Sequence, residues 1–385
     1  MIYLDNAAST PVHQKVIDEM IPYFREQYGN PSSIHKYGRA ANVAVQTARK
    51  RIAELIGAEP REILLTSGGT ESNNTAIYGI AMQGRGKHVI TSSIEHDAVL
   101  EPCRRLEREG FRVTYLPVDR YGLVDIDELR RQVSPDTCLI TVMLANNEVG
   151  TVQPVREISE VARQHNVPFH TDAVQAVGKI PVSVRDLGVD MLSMSSHKIN
   201  GPKGVGALYI RRGVQVSPLM LGGGQEGGMR SGTENVASIA GFGMACKIAR
   251  EDLQQNMAHY ARLTSRLSGR VLAEIPGTSL NGHPDRRIPN NAHFTFLGVN
   301  GEDLIIKLDE NKIAASTGSA CSVRIQKASH VLKAMGFSHE QVAGSLRLTV
   351  GPANTEEEID QTVDVLKKVV SELRAVSPYK DKYNF

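Results

Sequence analysis

The sequence predicts an α/β protein in which a large domain with a mostly parallel, mixed sheet is joined to a smaller α+β domain. Three observations carry that expectation. At 385 residues the chain is too long for one compact core. Short β-branched runs alternate with amphipathic segments up to about residue 250, the pattern of a parallel sheet covered by helices on both faces. A long helical stretch, from about Val236 to Leu272, then separates this block from the C-terminal third.

Taken in order, Ile63–Leu65, His88–Ile90, Val113–Leu116, Cys138–Val142 and Val167–His170 read as buried strands, followed by Asp190–Leu192 and, across a Gly/Pro-rich turn, Val205–Ile210. Before them, Ala41, Val45, Ala48, Ile52 and Leu55 keep helical spacing, and Gly57 is placed to end that helix. Gly222–Gly228 reads as a loop. The last helix is announced by a capping box, Thr355 with Glu358, ahead of the apolar stripe Ile359, Val363, Leu366, Val370 and Leu373. The large domain is expected over residues 13–250, and the smaller one over 251–385 with residues 1–12 packed against it.

Composition narrows the function classes. Lys+Arg 44 against Asp+Glu 42 leaves a formal charge of +2, which argues against a basic nucleic-acid binder or an acidic disordered tail. No apolar run approaches the roughly 18–20 residues that span a bilayer. The start, MIYLDNAASTPV, lacks the cationic and apolar stretches of a secretory leader. Four cysteines without paired spacing suit a reducing compartment. A cytoplasmic protein with neither nucleic-acid nor membrane partners is expected.

Ligands of open parallel sheets sit beyond the carboxyl ends of the strands, and several polar clusters fall there. Thr66–Glu71 follows a strand and opens a helix; its glycines let backbone amides approach an anion, although a tight turn capped by Thr70 is an equal reading. Asp172 ends another strand, with Gln175 three residues on; taken alone it is a helix cap. Lys198 follows Ser195, Ser196 and His197 at the end of the next strand. A lysine there points into the crevice, where burial lowers an amine's proton affinity as Schiff-base chemistry requires. Lysine, carboxylate and phosphate-binding turn together describe a pyridoxal-phosphate pocket. A carboxylate beside the pyridine nitrogen favours its protonated, electron-withdrawing form. His96 also follows a strand and can reach the same crevice or be structural.

The cysteines separate by context. Cys138 opens an apolar strand, Cys103 keeps register with Val99 and Leu106, and Cys246 sits in a helical stretch, so all three read as core. Cys321 lies in the small-residue run Ser316–Ser322, near Arg324, and reads as a reactive thiol on an exposed loop. No C-x-x-C, H-E-x-x-H or G-x-S-x-G occurs, which leaves zinc sites and a serine-hydrolase elbow without support.

These residues resemble the cysteine desulfurases of the NifS/IscS type, within the class-V aminotransferase family. The resemblance runs almost end to end through Tyr3–Ala8, Gly29–Ser33, Thr66–Asn74, Glu95-His96, Asn146–Gly150, Asp172–Gln175, His197-Lys198, Met229–Thr233 and Ser316–Cys321. It implies the aspartate-aminotransferase-like fold type I of pyridoxal-phosphate enzymes, with pyridoxal 5'-phosphate as cofactor. By the same resemblance, Lys198 carries the cofactor covalently, Asp172 pairs with the ring nitrogen, Gln175 meets the ring hydroxyl and His96 stacks on the ring. Gly69, Thr70, Ser195 and His197 hold the phosphate. Thr233 reaches the phosphate of the other subunit, which implies a homodimer. Asn147 contacts both cofactor and substrate carboxylate, and Arg347 grips that carboxylate, as suits a bidentate guanidinium. L-cysteine is the implied substrate, Cys321 the acceptor of its sulfur, and Lys198 and His96 the groups that move protons. The implied onward receiver is an iron–sulfur scaffold protein. No metal site is expected, with Cys321 the one residue open as a shared iron–sulfur ligand.

The alternatives are a selenocysteine lyase or another pyridoxal-phosphate lyase or aminotransferase on the same fold, and, from a different class, a non-catalytic platform for iron–sulfur assembly. Transamination needs no Cys321, and a platform needs neither Lys198 nor Asp172. The Gly227-Gly228 pair, where many relatives carry a charged residue, has no physical account.

Overall fold

A computed structural model describes residues 1–318, 328–378 and 382–383. The strands are β1 (Ile2–Tyr3), β2 (Ile63–Thr66), β3 (His88–Ser92), β4 (Arg112–Leu116), β5 (Thr137–Thr141), β6 (Phe169–Asp172), β7 (Met191–Ser195), β8 (Gly206–Ile210), β9 (Thr278–Asn281), β10 (Asn291–Phe296), β11 (Ile313–Ala314) and β12 (Ser345–Thr349). β2 to β8 form a seven-stranded sheet in the order β2-β8-β7-β6-β5-β3-β4. Only β8 runs against its neighbours, so the sheet is mixed and mostly parallel. The carboxyl ends of β2, β3, β5, β6 and β7 therefore open onto one edge.

The helix Lys36–Ile56 ends where Gly57 adopts φ 70°, a conformation that costs a residue with a Cβ about 1 kcal/mol or more. The expected single helical stretch from Val236 is two helices, Val236–Glu251 and Leu253–Glu274, broken at Asp252. The break has a packing cause. Ile239, Phe242 and Cys246 of the first helix belong to the core of the large sheet, whereas Leu263, Leu267 and Val271 of the second join another core. One straight rod cannot serve both. The strand expected at Val167–His170 sits two residues later, because its carbonyl-side pairing with β7 runs His170 to Asp172.

The second core packs Leu253–Glu274 and Glu356–Ala375 against the antiparallel sheet β12-β10-β9, with Phe294 and Phe296 fully buried at its centre. Each such ring contributes about 2–3 kcal/mol on removal from water. The capping box of Thr355 and Glu358 is present. The N-terminus joins this region: β1 pairs with β11, and Asp5 bridges to Thr349. From there the chain crosses over the carboxyl edge of the large sheet, laying Ala7 and Ala8 beside Lys198. That crossing closes the site.

Candidate active site

A cavity of about 240 Å³ lies where the carboxyl edge of the large sheet meets the N-terminal segment and β12. Gly69, Thr70, His96, Asn147, Asp172, Gln175, Ser195, His197, Lys198 and Arg347, ten of the residues singled out in the sequence, line it together. Thr233 does not. It is exposed and is not among the residues that line its own chain's cavity. Cys321 lies outside the described residues, as does Arg324; Cys103, Cys138 and Cys246 are buried in the core.

One wall is a helix N-terminus. The helix Gly69–Ala81 takes Gly68, not Thr70, as its N-cap, so Gly69 and Thr70 are its first helical residues. Their amides have no acceptor within the helix and carry its positive end. Gly69 packs so closely on Val174 that a Cβ would sit 2.7 Å from Cγ2, and this proximity brings the first turn to the end of β6. Glu71, the acid of this turn, is drawn off by Arg230, which donates to it at 2.8 Å and 3.2 Å. These bonds and the Ser67 amide hold its carboxyl below the ordinary range against the opposing effect of burial. Across from the turn stand Ser195 and His197. Burial, with the charges of Lys198, Lys203 and Lys179, pushes His197 down to about 4, so it is a neutral imidazole.

Asp172 ends β6 with its carboxylate fixed by two donors: Asn73 Nδ2 to Oδ2 at 2.6 Å and the Val174 amide to Oδ1 at 2.9 Å. The second bond is the capping turn the sequence suggested; the first shows that the same carboxylate is also aimed. Asn73 lies one helical turn beyond Gly69 and Thr70, on the same face. Lys198 donates to the carbonyls of Ala7 (2.6 Å) and Ala8 (2.8 Å). Gln175 donates through Nε2 to the Ala7 carbonyl at 2.9 Å. His96 caps the helix Asp97–Arg108, its Nδ1 accepting from the Ala98 amide, which leaves Nε2 as the ring's other polar atom.

Arg347, on β12, is 2% exposed; it donates to the Asn147 carbonyl at 2.8 Å and to Asp5 Oδ1 at 2.9 Å. Its Nε is buried and unmatched among the described residues. Such an atom is costly unless something fills the cavity beside it. Directly across the strand pair from Arg347, burial and the Arg347 and Arg287 charges push His293 down to about 3, so the imidazole adds no further positive charge there.

Sequence reasoning gave no role to Asp5, Asn73, Glu148 or Lys179. Glu148 is buried, accepts from Ser329 Oγ at 2.5 Å and lies against Gly318, so it touches both borders of segment 319–327. Burial pushes its carboxyl up. Lys179 is buried behind Gln175. Asn73 shares the helical spacing of a motif already noticed, and Asp5 and Glu148 stand inside quoted motifs. No local signal marks Lys179.

The residues present fit a phosphorylated pyridine aldehyde. An anion matches the helix N-terminus, a protonated ring nitrogen matches a carboxylate held by two donors, and a primary amine stands between them. The buried, unmatched guanidinium nitrogen of Arg347 fits a carboxylate ligand in the remaining space.

The chain is similar to known proteins. The family profile described as aminotransferase class-V matches residues 2–362. A curated protein named cysteine desulfurase IscS, from Methanosarcina thermophila, is 50% identical over 383 residues, covering 99% of this chain and 95% of that protein. A solved structure of a NifS-like protein superposes with a TM-score of 0.91 at 40% identity, over 96% of this chain and 99% of that one. Another, described as SspA in complex with cysteine, gives a TM-score of 0.82 at 39% identity, over 92% and 100%.

Proposed function

Because the chain belongs to the class-V aminotransferases, and within them to the cysteine desulfurases, we propose that it takes sulfur from L-cysteine with pyridoxal 5'-phosphate as cofactor, leaving L-alanine and a persulfide on Cys321. The observation that carries this reading is the meeting of Lys198, Asp172, a helix N-terminus and Arg347 in one cavity. When bound, the cofactor supplies an electron sink for charge developing at the substrate Cα.

The chain's own residues do the rest. Gly69, Thr70, Ser195 and His197 bind the phosphate. Lys198 Nζ holds the cofactor between turnovers and takes the Cα proton during them. Asp172 keeps a proton on the ring nitrogen, and Gln175 donates to the ring hydroxyl oxygen. His96 packs on the ring face and passes protons through Nε2. Arg347 and Asn147 orient the substrate by its carboxylate. The Cys321 thiolate then forms a bond to the substrate sulfur as the Cβ–S bond breaks. The electron pair of that bond stays with the carbon fragment, and protons returned to Cβ and Cα complete alanine. A thiol acceptor later removes the outer sulfur of Cys321 and restores the thiolate.

A homodimer with shared sites accounts for Thr233, which has no place in its own chain's cavity. Ile17, Ile21, Phe24, Tyr28, Ile34 and Tyr37 are exposed apolar residues, Tyr28 and Tyr37 stacked on one another, and such surface suits a second copy. A reducing cytoplasm suits a thiol that must stay free, and an iron–sulfur scaffold protein suits it as receiver. No helix among the described residues is long and apolar enough to cross a membrane.

Incubating the purified protein with pyridoxal 5'-phosphate, L-cysteine and a thiol reductant should yield alanine and sulfide in equal amounts. Absence of both overturns the reading. Sedimentation of the same preparation should give a dimer; a fully active monomer would contradict the shared site.

A further inference from the structure

Lys179 is buried, 4% exposed, and no carboxylate among the described residues pairs with it. Its Nζ donates to Gln175 Oε1 at 3.0 Å, and the charges that act on it, Lys198 and Arg347, are both positive. Burial and those charges push its ammonium down to about 7. A second cavity of about 120 Å³, behind the first, is lined by both Lys179 and Lys198 together with Asn6, Asn256 and Asn290. Asp252, His13 and Tyr260 face the same space, while Asp172, His96 and Arg347 face Lys198 from the front. A lysine so placed costs stability, because desolvation is offset by no ion pair.

Its position shows what it does instead. Lys179 Nζ presents a hydrogen to Gln175 Oε1, which holds the amide oxygen toward it. The amide NH2 then points the opposite way, with one hydrogen on the Ala7 carbonyl and the other available to the catalytic cavity. Without that donor, the bond to the Ala7 carbonyl alone favours this orientation, and the amide is freer to turn its oxygen to the cavity. The Ala7 carbonyl also accepts from Lys198 at 2.6 Å, so the bonds link Lys179, Gln175, Ala7 and Lys198 in one chain.

We propose that Lys179 is a positioning residue which, from behind the site, locks the Gln175 amide with its donor side toward the cofactor's ring hydroxyl oxygen. The inference rests on the reading of Gln175 given under Proposed function.

The test uses apo-enzyme titrated with pyridoxal 5'-phosphate, following affinity and the visible absorbance band, alongside thermal melts. Lys179→Met should melt at or above the wild-type temperature, yet bind the cofactor roughly tenfold more weakly, the scale of one misdirected hydrogen bond. Its band should also titrate at a shifted pH. Lys179→Gln, a neutral donor, should recover most of the affinity. A K179M protein with wild-type affinity and band overturns the proposal. So does one that melts lower or fails to fold, for Lys179 is then structural. Wild-type protein that binds no cofactor instead overturns the reading under Proposed function, and this inference falls with it.

Discussion

Arg347 and Asp5 form an ion pair at 2.9 Å, across 342 residues of sequence, in which the guanidinium is 2% exposed. The pair ties β12 to the N-terminal segment, whose next residues hold Lys198 through the Ala7 and Ala8 carbonyls. On the proposed reading, binding of the substrate carboxylate and placement of the reactive amine are thus parts of one local structure.

Arg347→Lys keeps a positive charge but loses the planar fork. Its KM for L-cysteine should rise by roughly 10- to 100-fold, corresponding to about 1.4–2.8 kcal/mol of lost binding. Steady-state kinetics on the cofactor-loaded protein check this. An unchanged KM would remove Arg347 from the substrate contacts.

Asp172→Asn keeps the shape and the amide bond from Val174 but removes the charge proposed to hold a proton on the ring nitrogen. Activity should fall by roughly 100-fold or more, as for loss of one preorganised electrostatic contact. Asn73→Ala, which frees Asp172 Oδ2 from its 2.6 Å donor, should cost a smaller factor of about 10. If the two variants lose equal activity, orientation rather than charge is the dominant role of Asp172.

Cys321→Ala should retain the visible cofactor band and lose sulfur transfer to a thiol. Alanine substitution of Cys103, Cys138 or Cys246 should spare the chemistry and lower stability, because all three are buried. Burial pushes the Cys103 thiol up to about 12 and Cys138 to about 11, out of reach of thiolate chemistry near neutrality. Undiminished turnover by C321A would remove the persulfide mechanism.

Lys179 also predicts a pH dependence of stability. Burial pushes its ammonium down to about 7 in the fold from the ordinary 10.5 of the unfolded chain, so the unfolded chain binds more protons between those values. Stability of the apo-protein should therefore rise with pH across that window, and the cost of burying the charge is greatest below it. Glu95 acts oppositely: burial pushes its carboxyl up to about 8, so its contribution falls as pH rises from 4.5 to 8. Comparing denaturant melts of wild type and K179M isolates the lysine. The stability gap in favour of K179M should close as pH rises from 6 to 9.5; a constant gap would show that Lys179 does not titrate there.

Much of this site was legible before folding because its residues fall at strand ends. Asp172 and Lys198 each follow a run whose strand character is unmistakable, and Gly69 opens a helix directly after another. What stayed hidden depends on distant contacts. Lys179 follows Gln175 by four residues, but the segment is a series of turns, so no helical spacing links them. The carbonyls of Ala7 and Ala8 carry no side-chain signature at all. The break at Asp252 was masked because apolar spacing continues on both sides, and only the existence of two cores requires it.

The most direct measurement is peptide mass spectrometry after borohydride reduction of protein loaded with pyridoxal 5'-phosphate. The phosphopyridoxyl label should fall on Lys198 alone. A label on Lys179, Lys203 or any other lysine, with Lys198 unmodified, would contradict the account.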